Sequence, residues 1–367
     1  MRKAVLFSIQ ESDQIMYLCV VEKEDRIKGF AQLGALMRAL GRAEQWKDFS
    51  WGVTEEEYLK LEELVQRQSV YNGWFTPANV RRSLLAQGEW LYEDRLAKWL
   101  ESTPYAQQVR TVALIMAGNI PLVGFHDFLC VLLSGHSVVC KLSSDDKTLL
   151  PALANHLMEF TPELKEKIVF TTGRISEMHA VIATGSNNST LYFQQYFGKY
   201  PHIFRHNRSS VAVLDGTETK EELAALGDDI FSYFGLGCRN VTHMLLPVGF
   251  ELSRFFEGIF SFSDVVFNKK YGNNYDYHKA IFLLNKHNLL DNNFVLLRET
   301  EELFSPLSMV HYHFYSDPSE AEEYVFTHEK DIQVVVGHGY VPFGKAQAPQ
   351  LTDYADGVDV LAWLADL

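Results

Sequence analysis

One cysteine of the sequence stands where a nucleophile would be expected. Cys238 follows Gly235-Leu236-Gly237, directly after a stretch with helical periodicity, and Arg239 comes next. Small neighbours leave the thiol uncovered on one side, and a nearby cation lowers a thiol pKa towards the reactive thiolate. The alternative is a buried structural cysteine, the commoner role of a single cysteine. Cys130 and Cys140 fit that alternative, because one lies in an apolar helical stretch and the other in an apolar strand.

Three loops hold other residues that could do chemistry. In the turn Gly118-Asn119-Ile120-Pro121, Asn119 could join backbone N–H groups in an oxyanion hole; the alternative is an ordinary strand-to-helix turn. Lys141 ends an apolar run, and it could meet a cofactor ribose or phosphate or simply be a strand-end charge in water. Gly185 and Ser186 could bring the backbone close to a phosphate at a helix start. No G-x-G-x-x-G fingerprint accompanies them.

A pair of histidines offers the nearest approach to a metal site. His311 and His313 lie on the same face of a presumed strand. Their spacing suggests no third ligand, so a partly exposed strand face is the default interpretation. We therefore predict no metal.

The elements that must position these loops alternate between strand and helix. The predicted order is a strand over 112–116, a helix from Pro121 to about Ser134, a strand over 137–142, a helix over 145–160 and a strand over 168–171. This alternation is typical of a doubly wound α/β sheet, which binds ligands at the carboxyl ends of its strands. Further strands are predicted at 181–183 and 211–214. A helix over 220–234 begins at a capping box of Thr219 and Glu222.

The first hundred residues are predicted to be mostly helical, with one helix opening at Pro77 and another over 89–100. The start, MRKAVLFSIQESDQ, is a poor signal peptide and favours a first strand. A chain of 367 residues predicts two domains.

Composition excludes several classes of function. The 33 basic and 47 acidic residues give a net charge of −14, which repels nucleic acid and anionic membranes. No window approaches the ~18 consecutive apolar residues of a membrane span. The four cysteines form no C-x-x-C pair, so neither a disulfide framework nor a cysteine zinc site is suggested and a reducing cytoplasm is the expected compartment.

Six segments, taken in order, resemble the aldehyde dehydrogenase superfamily. They are Ala117-Gly118-Asn119-Ile120-Pro121, the run 135–143 (similar to G-N-x-V-V-x-K-P-S), Thr184-Gly185-Ser186, Gly235-Leu236-Gly237-Cys238 (at the place of G-Q-x-C), Glu302-Leu303-Phe304-Ser305-Pro306 (similar to E-I-F-G-P) and Pro342-Phe343-Gly344. This sequence departs from the family at Leu142 and Ser305 and before the cysteine, which affects the fine cofactor geometry rather than the fold.

The resemblance implies roles for particular residues. Cys238 would be the acyl-accepting nucleophile, and Asn119 would hold the oxyanion with the Cys238 backbone N–H. Lys141 would contact the adenosine ribose, Ser186 would lie near the pyrophosphate and Glu302 would hold the nicotinamide ribose. The remaining expected cofactor-binding residues are Ser143, Ser144 and Gly185.

Residues 71–77 and the short length resemble one branch, the acyl-CoA reductases related to the LuxC-type fatty acyl reductase of bacterial bioluminescence. The expected fold is therefore α/β and aldehyde dehydrogenase-like, with a Rossmann-like cofactor domain and an α/β catalytic domain. We place the N-terminal helices and cofactor domain at 1–215 and the catalytic domain at 216–342. The tail, 343–367, would return to the cofactor domain or to a neighbouring subunit of a homo-oligomer.

The implied function is reduction of an acyl thioester such as acyl-CoA to an aldehyde through an acyl-cysteine. The alternatives are an ordinary aldehyde dehydrogenase, an acyl-phosphate reductase and a catalytically inactive cofactor-binding protein. Family members that prefer NAD often carry an acidic residue three positions after the lysine; here that residue is Ser144, which favours NADPH with NADH as the alternative. Aldehyde-oxidising members carry a glutamate base about 34 residues before the cysteine; here Phe204 stands there, without a carboxylate over 202–208, and His206 is the nearest possible base in the sequence.

Overall fold

The computed structural model describes the backbone of residues 11–367 and the side chains of residues 23–367 except Asn187. The predicted first strand falls largely on residues 1–10 and so lies outside the described residues. Four helices come first: α1 (Glu11–Gly41), α2 (Glu55–Tyr71), α3 (Pro77–Gly88) and α4 (Glu93–Trp99). The opening of α3 at Pro77 is as predicted, since Pro77 follows Thr76, whose side chain caps the helix by accepting a hydrogen bond from the Asn79 N–H.

A five-stranded parallel sheet follows these helices. Its elements are β1 (Thr111–Ile115), α5 (Phe125–Leu133), β2 (Ser137–Lys141), α6 (Leu149–Phe160), β3 (Ile168–Thr171), β4 (Ala180–Thr184), α7 (Asn187–Phe197) and β5 (His202–Arg205). The strand order β3-β2-β1-β4-β5 places β1 in the centre, with its two neighbours reached by connections in opposite directions. The carboxyl ends of β1 and β4 therefore flank a topological switch point, where sheets of this kind bind ligands.

Two helices of this sheet begin later than predicted. The helix after β1 begins at Phe125 rather than Pro121, because Leu122 has a left-handed φ of 58° and its N–H donates to the Asp146 carboxylate. The helix after β2 begins at Leu149 rather than 145, since Asp145 and Asp146 are held in a turn by Ser143. Polar residues in both loops satisfy backbone groups locally, which competes with helix formation. Strand β5 was not predicted.

A second sheet has six strands in the order β11-β6-β7-β10-β9-β8, parallel except for the edge pair β8–β9. Its elements are β6 (Ser209–Val213), α8 (Lys220–Phe231), β7 (Val241–Pro247), α9 (Leu252–Gly258), α10 (Lys269–Leu284), β8 (Leu290–Asp291), β9 (Leu296–Glu299), β10 (Met309–Tyr315), α11 (Pro318–Thr327) and β11 (Ile332–Gly337). Strand β6 belongs to this sheet, so the chain changes sheets before the boundary proposed at 215.

The C-terminal tail returns to the first sheet. Helix α12 (Val360–Ala365) buries Val360, Leu361 and Leu364 in the core formed by the N-terminal helices and the five-stranded sheet. His136 on the loop before β2 shares a hydrogen bond of 3.0 Å with the Leu364 carbonyl. The tail therefore packs within its own chain on the unit proposed to hold the cofactor. Within the described part of the chain, no helix has the length and hydropathy needed to cross a bilayer.

One ion-pair cluster joins the end of β11 to Asp215 in the loop between β6 and α8 and to Glu222 on α8. His338 contacts Asp215 at 2.8 Å through Nδ1 and Glu222 at 2.9 Å through Nε2. Hydrogen bonds to these carboxylates, first Asp215 and then Glu222, raise the pKa of His338 to about 9. Because the folded pKa lies above the unfolded value, this cluster stabilises the fold fully below about pH 6.5, and its contribution is lost as the pH rises through about 9.

We expect the His338→Gln variant to be less stable than the parent at pH 7, with the difference nearly gone at pH 10. Urea unfolding midpoints at the two pH values measure this. His287→Gln is the matched control, because His287 is exposed and forms no ion pair in the described part of the chain. An equal difference at both pH values would show that the imidazolium charge is not what stabilises the cluster.

Candidate active site

The chain turns sharply just before Cys238. Helix α8 ends at Phe231, and Tyr233, Phe234 and Gly235 then adopt left-handed φ angles of 52°, 61° and 80°. Two consecutive non-glycine residues in this region are strained, and such strain persists only where surrounding contacts hold it. The turn replaces the last residues of the helix predicted to reach 234 and brings Cys238 to the surface of a cavity.

Asn240 holds this turn. Its side chain is fully buried, and its Nδ2 donates to three carbonyls left open at the end of α8. Its Oδ1 accepts the Gly237 N–H at 2.8 Å, one residue before the nucleophile candidate. Ser210 on β6 donates to the Cys238 carbonyl at 3.0 Å. This role of Asn240 was not predicted, because Asn240 follows the cysteine loop rather than the end of α8 at Phe231 and no local capping pattern connects them.

A cavity of about 680 Å³ opens beside Cys238 and is called here the central cavity. Residues from both sheets, from α3 and from the tail line it. Its apolar lining includes Trp74, Trp90, Ile120, Val123, Tyr233 and Leu236. The Cys238 side chain is open to this cavity, whereas Cys130 and Cys140 are fully buried in the first core. Of the described cysteines, Cys238 is therefore the one that a ligand in this cavity can reach.

The thiol of Cys238 has its pKa raised above the ordinary value. The chief cause is desolvation by the protein that encloses the cavity, and the nearby Arg239 opposes it only in part. Arg239 does lower the pKa of the thiol, as expected for an adjacent cation, but desolvation outweighs it. The Arg239 guanidinium itself donates to the carbonyls of Ala346 and Asp353, at 3.3 and 3.2 Å.

Asn119 lies in the turn after β1 and lines the same cavity as Cys238. Its Nδ2 donates to the Leu236 carbonyl at 2.8 Å, so the amide links the carboxyl edge of the first sheet to the loop that carries the cysteine. The two residues proposed to share an oxyanion thus meet at one cavity. In this arrangement one amide hydrogen of Asn119 is used for positioning, and its role towards an oxyanion remains a proposal.

The loop after β4 also reaches the central cavity. Thr184, Gly185 and Ser186 line it, and Ser186 caps α7 by accepting the Ser189 N–H. A Cβ added at Gly185 would lie 2.9 Å from the Ser189 Cβ, so this backbone approaches α7 more closely than a side chain allows. A helix start with a glycine beside it, at the switch point of a parallel sheet, fits the phosphates of a dinucleotide.

From the loop after β2, Asp145 lines the cavity, whereas Lys141, Ser143 and Ser144 lie beside it without lining it. Lys141 ends β2, half-buried, and Ser143 and Ser144 follow it. Ser143 packs against the turn after β1, since a Cβ added at Gly118 would lie 2.5 Å from the Ser143 Oγ. These residues thus share the carboxyl edge of the sheet with Asn119, as predicted for the loops of parallel strands.

Glu302 is not brought to the cavity. Its side chain is exposed and pairs with Arg298 at 3.0 Å, while its neighbours Phe304 and Ser305 line the cavity instead. The Glu302 carbonyl is contacted by the ring nitrogens of His243 and His311, at 3.0 and 2.8 Å. The role implied for Glu302 therefore finds no support in this geometry and remains a proposal.

The histidines on β10 are more enclosed than expected. His311 is buried rather than part of an exposed face, and His313 shares a hydrogen bond of 2.8 Å with the buried His243 on β7. Burial is the chief cause of the lowered pKa of all three rings. Among the described residues, a three-ligand cluster occurs only elsewhere, at Asp215, Glu218 and His338. The carboxylates there already bind His338 and backbone N–H groups.

The segment expected to hold a general base carries positive charge instead. Phe204 stacks on His202, with ring centroids 4.0 Å apart, and residues 205–208 then line the cavity. A carboxylate does reach this region, but from the tail: Asp356 lies 4.0 Å from Arg205 and 3.6 Å from Arg208. The position of Asp356 at this site was not predicted, because nothing in the local pattern connects residue 356 with the cysteine loop.

The late Pro342-Phe343-Gly344 segment fixes the tail where it leaves the second sheet. The carboxylate of Asp229, fully buried on α8, accepts the N–H groups of Gly344 and Ala346 at 2.6 and 2.9 Å. Burial raises the pKa of Asp229 to about 6. This contact directs the following residues, among them Asp353 and Asp356, along the central cavity.

Comparisons with known proteins bear on this arrangement. The sequence profile described as acyl-CoA reductase (LuxC) matches residues 56–246, just over half of the chain. The chain belongs to the LuxC family of acyl-CoA reductases. The match contains Asn119, Lys141, Gly185, Ser186 and Cys238, and thus most of the residues around the cavity.

Solved structures similar to this LuxC-family chain are aldehyde dehydrogenases. An indole-3-acetaldehyde dehydrogenase in complex with NAD⁺ is 14% identical over 88% of this chain and 74% of its own, with a TM-score of 0.59. A gamma-glutamyl-gamma-aminobutyraldehyde dehydrogenase from Burkholderia cenocepacia is 14% identical over 86% and 71%, with a TM-score of 0.60. A Mycobacterium tuberculosis aldehyde dehydrogenase complexed with NAD⁺ is 13% identical over 84% and 72%, with a TM-score of 0.57.

A search of the curated proteins gives no match. The aldehyde dehydrogenase fold and the superfamily resemblance inferred from the six segments are confirmed. Family and fold together identify an oxidoreductase that acts on an aldehyde or acyl group.

Proposed function

We propose that this LuxC-family protein reduces an acyl thioester, such as acyl-CoA, to an aldehyde with a nicotinamide cofactor. The observation that carries the proposal is the position of Cys238, whose side chain opens to a cavity bordered by the carboxyl edge of the parallel sheet. The family description supports acyl-CoA as the donor. The NAD⁺ found in aldehyde dehydrogenases of this fold supports a nicotinamide cofactor.

In this proposal, different residues of the chain carry out different parts of the reaction. The Cys238 thiolate attacks the carbonyl carbon of the thioester; a carbon–sulfur bond forms, and the bond to the CoA sulfur breaks. Asn119 and the Cys238 N–H would stabilise the oxygen of the tetrahedral state. Apolar side chains such as Trp74 and Ile120 line the cavity and would limit the access of water to the acyl-cysteine.

The cofactor would bind at the loop after β4, with the start of α7 at its phosphates and Lys141, Ser143 and Ser144 at its adenosine end. When bound, it supplies the hydride that converts the acyl-cysteine to the aldehyde. The fit rests on the close backbone approach at Gly185 and on the helix start behind it.

Intact mass of the protein after incubation with an acyl-CoA tests the proposal. A mass increase equal to the acyl group, located on the peptide that contains Cys238, is the expected result. An adduct formed only with acyl phosphates would assign the alternative reductase. Rapid oxidation of aldehydes to acids would indicate an ordinary aldehyde dehydrogenase, and no adduct with any donor would indicate an inactive binding protein.

We expect NADPH to be preferred to NADH. Ser144, three residues after Lys141, places no negative charge where a 2′-phosphate would bind and can donate a hydrogen bond to it. Of the two aspartates that follow, Asp146 is buried and accepts the Leu122 N–H, so it is turned away. Asp145 lines the central cavity, so its carboxylate is the one that could still repel the 2′-phosphate of NADPH.

The values of kcat/KM for the two cofactors measure this preference, and a clear advantage for NADH would contradict it. The Ser144→Asp variant should shift the ratio towards NADH by about tenfold, since a new negative charge repels the 2′-phosphate. Lys147→Ala is the matched control, because Lys147 is an exposed charged residue of the same loop that does not line the cavity.

A further inference from the structure

Residues 72–74, part of the segment that resembles the LuxC branch, form a junction beside the central cavity. Asn72 is buried, with 4% of the residue exposed, and lines the cavity together with Trp74. Its Nδ2 donates to the Asp145 carbonyl at 3.3 Å, in the loop after β2. Its Oδ1 accepts the Trp74 N–H at 3.1 Å and the Lys270 amino group at 3.4 Å. One buried amide therefore joins a loop of the first sheet to the start of α10 in the second unit.

The first turn of α10 is fixed against this junction. Asn268 caps the helix by accepting the N–H groups of Lys270 and Tyr271, and its Nδ2 donates to the Gly73 carbonyl at 3.0 Å. The stem of Lys270 packs on Gly73, since a Cβ added there would lie 3.5 Å from the Lys270 Cδ. The Lys270 Nζ lies 5.5 Å from the centroid of the Trp74 ring. The helix N–H groups are thus already satisfied, and the amino group is what this turn offers to a ligand.

Lys270 differs from the other described lysine and arginine residues that line the central cavity. Those residues are Arg205, Arg208 and Arg239. They are buried or half-buried, and each donates to carboxylate or carbonyl oxygens of the chain. Lys270 is exposed, and its amino group contacts an amide oxygen and an aromatic ring. An ammonium group has three hydrogens to donate, so one hydrogen bond leaves two for an incoming anion.

The surroundings of Lys270 favour a phosphate group on a ribose. The net charge of −14 repels anions in general, so a phosphate in the cavity needs a local cation. Asp145, on the other side of Asn72, belongs to the loop proposed to hold the adenosine end of the cofactor. Lys270 adds a positive charge beside this loop. A phosphate monoester has a charge of about −2 at pH 7, and lysine binds phosphate as a point charge.

We propose that Lys270 binds the ribose phosphate of an adenine nucleotide in the central cavity. The inference rests on the proposed function for the presence of such nucleotides, and it adds the residue that recognises their phosphate. Two nucleotides of the proposed reaction carry this group: NADPH on the 2′-oxygen of its adenosine ribose, and CoA on the 3′-oxygen. Each has a counterpart without the monoester, namely NADH and dephospho-CoA.

The dissociation constants of these four nucleotides, measured by calorimetric titration of the full chain without turnover, test the proposal. We expect Lys270→Gln to weaken the binding of NADPH or CoA about tenfold, since a hydrogen bond between charged groups is lost. The counterpart without the monoester should bind within about twofold of its affinity for the parent, because it never makes this contact. A loss for NADPH assigns Lys270 to the cofactor, and a loss for CoA assigns it to the acyl donor. Lys270→Arg keeps the cation and should retain most of the affinity.

Lys269→Gln is the matched control. Lys269 is the preceding residue of the same helical turn, is exposed and does not line the central cavity. Its replacement removes the same charge from the protein and so accounts for long-range electrostatic effects. This variant should bind all four nucleotides like the parent. Because both lysines are exposed in the first turn of α10, thermal unfolding of both variants should match the parent.

Failure of this inference is distinguishable from failure of the proposed function. If Lys270→Gln weakens both members of each pair equally, or binds all four nucleotides like Lys269→Gln, the inference is overturned. If an acyl-CoA labels Cys238 in such a case, the proposed reaction stands and the phosphate site is wrong. If Lys270→Gln discriminates within a pair but no acyl donor labels Cys238, the phosphate site stands and the proposed reaction is wrong.

Discussion

The Cys238→Ala variant is expected to lose reductase activity by about three orders of magnitude or more while it folds and binds the cofactor like the parent. The thiol is the atom proposed to carry the acyl group, and no other described cysteine opens to the central cavity. Its loss should cost little stability, because the side chain is exposed to the cavity and the turn is held by Asn240. Steady-state aldehyde formation, together with cofactor binding and thermal unfolding, measures this.

The same change at Cys130 or Cys140 is the matched control. Both side chains are fully buried in the first core, so replacement should act through packing and lower the free energy of unfolding by about 1 kcal/mol. Activity per folded molecule should remain. If Cys238→Ala keeps more than a few per cent of the parent activity, the nucleophile assignment is wrong.

The acyl-cysteine is expected to resist hydrolysis. Residues 205–208 line the cavity without a carboxylate, and Phe204, at the place of the family's base, stacks on His202 outside it. Asp356 does reach the cavity, but it lies between the guanidinium groups of Arg205 and Arg208, 4.0 and 3.6 Å away. Without a base to activate water, the thioester should persist until a thiol or a hydride reaches it.

The measurement compares two rates: release of free fatty acid from an acyl-CoA without cofactor, and aldehyde formation with NADPH. We expect the first to be slower by ~100-fold or more, the range that a general base contributes. His206 also lines the cavity and is a second possible base, and its Nε2 lies 3.9 Å from the Asp331 carboxylate. Free-acid release at a rate comparable to reduction would show that a deacylating base exists. Loss of that release in His206→Ala or in Asp356→Asn would then identify it.

Much of the site follows from the order of short segments along the chain. The apolar runs that end at Ile115, Lys141 and Thr184 are parallel strands, and parallel strands place their following loops at one edge of the sheet. The positions of Asn119, Lys141 and Ser186 at that edge were therefore predictable from pattern alone. The capping residues Thr76 and Thr219 were predictable for the same reason, since a cap acts within one turn of the chain.

Other features lay beyond any local pattern. The implied position of Glu302 at the cofactor came from resemblance alone, and the structure instead exposes its side chain and brings Phe304 and Ser305 to the cavity. The boundary proposed at 215 assigns β6 to the cofactor domain, whereas β6 joins the second sheet. The passage of the chain from one sheet to the other does not change its composition, so composition could not locate this boundary.

The sequence by itself determined the family, the parallel sheet and the cysteine that is the candidate nucleophile, because each depends on residues close together in the chain. Only the tertiary structure decided the charge around that cysteine. Desolvation raises the pKa of the thiol, the adjacent Arg239 lowers it in part, and Asp356, which is distant in sequence, raises it. Electrostatic interaction and desolvation depend on distance through space and on the protein that displaces water, and neither can be read from the order of residues.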